Sequence, residues 1–225
     1  IVKILGFAFV LLGLLFLTTK AVLKKTAVDT RASSAPNSYK FIWVGAKTSD
    51  QFSDEHINYI AKNYDVLVFS RMHGRGDKEK HHEATRSIKQ INPNIKILAY
   101  IPSSIRHDTD SFGESSFKDE WYLRSRNGDR IAQSEGYYVD LSNSDYRNWV
   151  LDIISDWFAV APYDGVAFDN GNKIEGGLRK DELVDAIGET RLSEFNDGFT
   201  RLYKKAKNRF ADKIVLFNGI ADHEF

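Results

Sequence analysis

The sequence predicts an α/β fold of the (β/α)8 TIM-barrel type, incomplete at the C-terminus, with an apolar helix ahead of it. Three observations carry that prediction. Short apolar runs alternate with helical segments five times along the chain, the signature of βαβ units and a parallel sheet. The runs are apolar throughout, as in strands buried on both faces. No Gly-rich phosphate loop follows the first run, which argues against a doubly wound nucleotide-binding sheet. A complete barrel takes roughly 250 residues, and the chain has 225.

Ile4 to Leu17 are all apolar or Gly, with Lys3 before them and Lys20, Lys24 and Lys25 after. That length is short for a spanning helix and suits the apolar region of a signal peptide. Residues 1–23 are therefore read as a signal peptide or membrane anchor, 24–38 as a linker, and 39–225 as the β/α domain. The domain is expected outside the cytoplasm, secreted or tethered to the membrane. The chain opens on Ile1, its one Met is Met72, and it stops just past an apolar run, so it reads as part of a longer protein.

Within the domain, Phe41–Gly45 is the first predicted strand. A helix follows over 53–64, with Ser53 as N-cap and Asp54 and Glu55 in its first turn. Asp65–Ser70 is the second strand, and a helix from about Lys78 to Ile91 is stopped by Asn92-Pro93-Asn94. Ile95–Ile101 is the third strand, closed by Pro102. The connection from Pro102 to Asn143 is long, and long loops in compact domains are usually functional. Inside it, Asn127-Gly128 between strand-like runs predicts a type I′ hairpin. Ser144 is expected to cap an amphipathic helix with Trp149, Val150, Ile153, Ile154, Trp157 and Phe158 on its apolar face, where the tryptophans serve as core. The fourth strand is Tyr163-Asp164-Gly165-Val166-Ala167-Phe168-Asp169-Asn170. A helical region over 178–212, with a break at Gly188, leads to a fifth strand at Lys213–Asn218.

Composition narrows the function. Lys plus Arg and Asp plus Glu both total 31, so bulk charge does not draw the chain to nucleic acid. There is no Cys, which excludes disulfides, thiolate metal sites and a Cys nucleophile. No Gly-x-Ser-x-Gly elbow is present. His73, His81 and His82 lack the spacing of a metal site, so no metal and no cofactor are expected. Arg124, Arg126 and Arg130 read as solvent-facing hairpin charge, and an anionic glycan is the alternative partner. Aromatic residues make up 13% of the chain, which suits a strand-rich core or a carbohydrate cleft alike.

Parallel strands bring their C-terminal ends to one edge, where barrel enzymes place their chemistry. That edge would collect Lys47 after strand one, Arg71 and His73 after strand two, and Tyr100 in strand three. Asp169 and Asn170 would end strand four, and Asn218 strand five. Asp140, before a helix, either points there too or braces that helix. Glycoside hydrolysis needs two carboxyl groups flanking the scissile bond. Asp169 is the candidate catalytic carboxylate, and Arg71, His73, Tyr100, Asp140, Asn170 and Asn218 are candidate substrate contacts. The second acid is unassigned: Asp140, Glu175 and Glu224 each have a plausible structural use.

The order Asp140-Leu141-Ser142-Asn143 with Tyr146 and Trp149, then the 163–170 strand, resembles hypothetical glycosyl hydrolase family fifteen. It is similar as well to the endo-α-1,4-polygalactosaminidase-like barrels. In both groups an aspartate-leucine pair, a helix and an Asp-Gly-apolar-x-Asp strand lead to a strand-four acid. The resemblance runs over about Tyr39–Asn218, with the 140–170 block its specific part. It implies a secreted or surface-anchored enzyme acting on a polysaccharide, with Asp169 in the catalytic position. The competing expectations are a non-catalytic, membrane-tethered glycan-binding barrel and a structural cell-envelope protein.

Overall fold

In the computed structural model, the described residues are 39–44, 52–69, 78–107, 116–133, 136–170, 173–175 and 177–218. The expected leader and linker over residues 1–38, and the candidate residues Lys47, Arg71, His73 and Glu224, lie outside them. From Tyr39 onward the chain is one compact unit.

Strands β1 (Phe41–Val44), β2 (Val66–Phe69), β3 (Lys96–Pro102), β7 (Gly165–Asp169) and β8 (Ile214–Phe217) form one parallel sheet. Every neighbouring pair is parallel, and the spatial order β1-β2-β3-β7-β8 follows the chain order without reversal. A doubly wound sheet reverses its strand order at a switch point. This sheet does not.

Helices α1 (Asp54–Asn63), α2 (Lys78–Ile91), α3 (Ser144–Val160), α4 (Gly177–Ile187) and α5 (Glu189–Arg209) connect the strands. Ser53 caps α1 as expected, accepting the His56 N–H at 3.3 Å. The cap of α3 is one residue earlier than the sequence reading: Asn143, not Ser144, accepts the N–H groups of Asp145 and Tyr146. Asn and Ser are close to equal as N-caps, so adjacent candidates do not settle the register. Gly188 divides α4 from α5 with φ +86°, a conformation that glycine adopts without steric cost.

The long β3–α3 connection holds a small antiparallel sheet, β4 (Ile105–His107), β5 (Ala132–Gln133) and β6 (Gly136–Tyr138), in the order β4-β6-β5. Its Asn127-Gly128 turn is not type I′, which needs positive φ at both central residues. Only Gly128 has positive φ (+89°), and its N–H reaches back to the Ser125 carbonyl at 2.9 Å. Ser125 N–H then bonds the Asp129 carbonyl at 2.8 Å. That is a type I turn closed by a left-handed glycine. Arg124 and Arg130 flank the turn and both pair with Asp119.

The sheet's alternation sorts its side chains onto two faces. Leu67, Phe69, Ile97, Ala99, Ile101, Val166 and Phe168 join the large cluster with the helices. Trp157 is in the same cluster, with 4% of its surface exposed, so it is core. Val68, Leu98, Tyr100 and Ala167 form a second cluster with Trp43 and Leu216 against it. Period two places Asp169 and Asn218 on this second face, two residues beyond Ala167 and Leu216.

At the opposite, N-terminal edge, Asp164 staples the sheet. Its carboxylate takes the Ile97 N–H at 2.9 Å and pairs with Lys89 at 2.7 Å and Lys96 at 3.2 Å. Burial works to raise its pKa, but these donors outweigh burial and hold the carboxyl below the usual range.

Candidate active site

The site forms where β3, β7 and β8 end side by side. Their register sets Tyr100 beside Ala167, Pro102 beside Asp169, and Phe168 beside Phe217. The Asn218 N–H extends the β7–β8 ladder to the Phe168 carbonyl at 2.8 Å, which holds Asn218 next to Asp169. The Asp169 carboxylate is then gripped at both oxygens. Tyr100 Oη donates to one at 2.6 Å and Asn218 Nδ2 to the other at 2.8 Å. Tyr100 is itself fixed, 4% exposed and edge-to-face with Trp43 at a centroid distance of 5.9 Å. Asp169 is only half-buried, so the carboxylate is both oriented and reachable.

The backbone around Asp169 is fixed as firmly. Its carbonyl accepts from both the N–H and the hydroxyl of Ser103, each at 2.8 Å. Ser104 Oγ donates to the Asn170 carbonyl at 2.8 Å. Asn170 has φ +52°, a left-handed conformation that Asn tolerates better than most residues and that turns the chain sharply after the strand. Such backbone outliers cluster at functional sites. Tyr146 of α3 donates its hydroxyl to the Ser103 carbonyl at 3.2 Å, and the Val139 N–H bonds the Ser104 carbonyl at 3.0 Å. The 139–146 segment is thereby tied to the loop that holds Asp169. Pro102-Ser103-Ser104 reads in sequence only as a strand ending, and its bonds to Asp169 lie 66 residues apart.

Of the predicted site residues, the structure gathers Tyr100, Asp169, Asn170 and Asn218 at one edge. Asp140 belongs to a different cluster. It is buried, with one oxygen taking the N–H and hydroxyl of Ser142 at 3.0 and 2.6 Å. The other pairs with Arg191 of α5, which also holds Glu194 at 2.9 Å. Glu175 is half-exposed and pairs with Lys173 at 3.7 Å. Among the described residues, no group of His, Asp and Glu is arranged to hold a metal ion.

The model of the family described as hypothetical glycosyl hydrolase family 15 matches residues 89–224, more than half of the chain. The chain belongs to that family. The matched span contains β3, β7 and β8 and every residue of the Asp169 cluster. No curated protein matches the chain. Solved structures share its fold at low identity. The galactosidase domain of the α-galactosidase–sucrose kinase AgaSK matches 80% of this chain and 26% of its own at 14% identity, with a TM-score of 0.57. A GH36 α-galactosidase, AgaA from Geobacillus stearothermophilus in complex with stachyose, matches 80% and 27% at 15% identity, with a TM-score of 0.57. The glycoside hydrolase domain of PelA from Pseudomonas aeruginosa matches 82% and 60% at 12% identity, with a TM-score of 0.54. The chain thus spans about a quarter of the galactosidase chains.

Proposed function

We propose that this family 15 protein is a glycoside hydrolase of the β/α-barrel type, with Asp169 as a catalytic carboxylate at the end of the fourth barrel strand. The observation that carries the reading is the two-sided grip on Asp169 by Tyr100 and Asn218, on a half-buried oxygen pair at the C-terminal edge of the sheet. Strands added in chain order without reversal support the barrel, as do glycoside hydrolases among the fold neighbours.

Both partners donate, so the carboxylate acts as acceptor at each oxygen. That suits the residue that attacks the anomeric carbon, or that takes a proton from water, better than the residue that protonates the leaving oxygen. No second carboxyl group is bonded into this cluster among the described residues, and Asp140 is engaged by Arg191 and Ser142. The acid role falls to another carboxyl group, standing about 5–9.5 Å from Asp169. Asn170 and Asn218 offer amides for sugar hydroxyls beside the reacting carbon. The apolar leader of residues 4–17 supports export, with a polysaccharide outside the cytoplasm as substrate. The protein would be secreted or held at the membrane by that leader.

Release of reducing ends from polysaccharides and from α-galactosides such as raffinose tests the reading. Asp169→Asn should abolish release while the melting temperature stays within a few degrees of the parent. Undiminished turnover by the variant would remove Asp169 from the mechanism. Saturable binding with no release by the parent protein would favour the glycan-binding alternative.

A further inference from the structure

Tyr100 and Asn218 hold the Asp169 carboxylate. The block that carries the family resemblance, Asp140 to Asn143 with Tyr146, reaches the same residue through its backbone, by two layers of hydrogen bonds. The inner layer is the serine pair after β3. Ser103 puts its N–H and its hydroxyl on the Asp169 carbonyl, each at 2.8 Å, and the Ser104 hydroxyl takes the Asn170 carbonyl at 2.8 Å. The outer layer takes the carbonyls of those same serines. Tyr146 Oη donates to that of Ser103 at 3.2 Å and the Val139 N–H to that of Ser104 at 3.0 Å. Both serines are buried, so their carbonyls depend on these donors. Val139 donates from the backbone, which leaves Tyr146 as the side chain of the outer layer.

Tyr146 is a fixed donor. It lies in the first turn of α3, where its N–H is taken by the Asn143 cap at 3.2 Å. Asn143 is in turn held by its N–H on the Asp140 carbonyl at 3.0 Å. The buried Tyr146 ring stacks on Trp149 at a centroid distance of 5.9 Å and meets Phe117 edge-on at 6.2 Å. The cap sets the height of the ring on the helix, and its aromatic neighbours set its direction.

We propose that Tyr146 is a positioning residue for Asp169, acting through Ser103, a role that rests on the hydrolase reading above. β7 ends at Asp169, and beyond it the serine bonds take over from the ladder in holding the chain through its left-handed turn at Asn170. The donors on the carboxylate fix how the side chain is rotated, and the serine layer fixes where its backbone stands. Catalytic groups must be held to within about 0.5 Å, and a misplacement of about 1 Å costs about 100-fold in rate. The Asp140–Tyr146 block thus serves the reaction without touching the reacting atoms.

The test compares Tyr146→Phe with Ile154→Val, a packing loss at a buried residue of the same helix. Both should lower the melting temperature by a few degrees. Amide hydrogen exchange in the full chain should be at least tenfold faster at Ser103 in Tyr146→Phe than in Ile154→Val. On raffinose, or on a polysaccharide that the parent cleaves, Tyr146→Phe should lower kcat about tenfold with KM unchanged, while Ile154→Val leaves both unchanged. Ser103→Ala should lower kcat as well, and adding Tyr146→Phe to it should cost little more, because the two act along one chain of bonds. Equal exchange at Ser103 in Tyr146→Phe and Ile154→Val, or a kcat that falls no further in the first than in the second, would overturn the role. Faster exchange at Ser103 with no reducing ends released by the parent would count against the hydrolase reading alone.

Discussion

Gly198 is a position where one added methyl group should do clear damage. It is buried in α5, and a Cβ there would stand 2.6 Å from Ser142 N and closer still to the Leu141 carbonyl oxygen and carbon. All three are backbone atoms, so no rotamer change relieves the contact. The loop cannot easily retreat. Asp140 N–H is bonded to the Trp121 carbonyl at 2.7 Å, Asn143 N–H to the Asp140 carbonyl at 3.0 Å, and Arg147 donates to the Leu141 carbonyl. The helix is held as firmly by Leu192, Phe195, Phe199 and Leu202, each no more than 3% exposed. Two effects oppose each other in Gly198→Ala. Helix propensity favours Ala by about 0.5–1 kcal/mol, while overpacking costs about 1–3 kcal/mol and more against rigid backbone. The clash wins, with a net loss of about 2 kcal/mol or more. At roughly 2–4 °C per kcal/mol for a domain of this size, thermal unfolding followed by circular dichroism should show a fall of about 4–8 °C. The exposed helical substitution Lys207→Ala should stay within about 0.5 kcal/mol of the parent. An unchanged or raised midpoint for Gly198→Ala would refute the close approach of α5 to the Asp140 loop.

Three further outcomes follow from other contacts. The carboxyl of Asp164 is held low in the folded state, so its contribution is present above the unfolded carboxylate pKa of about 3.9 and is lost as pH falls through the folded value. Denaturant titrations from neutral pH into the acid range should show a shallower loss of stability in Asp164→Asn than in the parent; parallel profiles would contradict this. Arg191→Ala should destabilise the protein by about 1–3 kcal/mol by stripping a charge-assisted bond from buried Asp140, seen as a lower urea midpoint with KM unaltered. Tyr100→Phe should preserve the fold and lower kcat about 10–100-fold, the loss of one charge-assisted bond of about 1.5–3 kcal/mol if it acts only in the transition state. An unaltered kcat would show that the Tyr100 bond only shapes the resting site.

The parallel sheet was legible because its strands are short, apolar and punctuated. Val66–Phe69 and Gly165–Asp169 read as strands buried on both faces, and all their residues but Val66 and Asp169 are buried. Asp169 stood out because a carboxylate ends such a run. Its partners were harder to read. Tyr100 and Asn218 lie 69 and 49 residues away, and their meeting depends on a register that sets Pro102 beside Asp169. Apolar runs reveal strands but not register. Arg191, 51 residues from Asp140, gave no signal on an exposed helix face, although it decides what the Asp140 carboxylate does. The glycine at the α4–α5 break was readable from local backbone chemistry. The type of the Asn127-Gly128 turn was not, since that dipeptide suits both a type I′ turn and a type I turn with a left-handed glycine.

The most direct measurement is a crystal structure of the Asp169→Asn variant with an oligosaccharide that the parent protein cleaves. The expected result is a glycosidic bond seated at the C-terminal edge of β7, its anomeric carbon within contact distance of the substituted side chain at position 169, with Asn170 and Asn218 on the flanking hydroxyls. A sugar chain bound elsewhere, with position 169 still closed by Tyr100 and Asn218 and untouched by ligand, would contradict it.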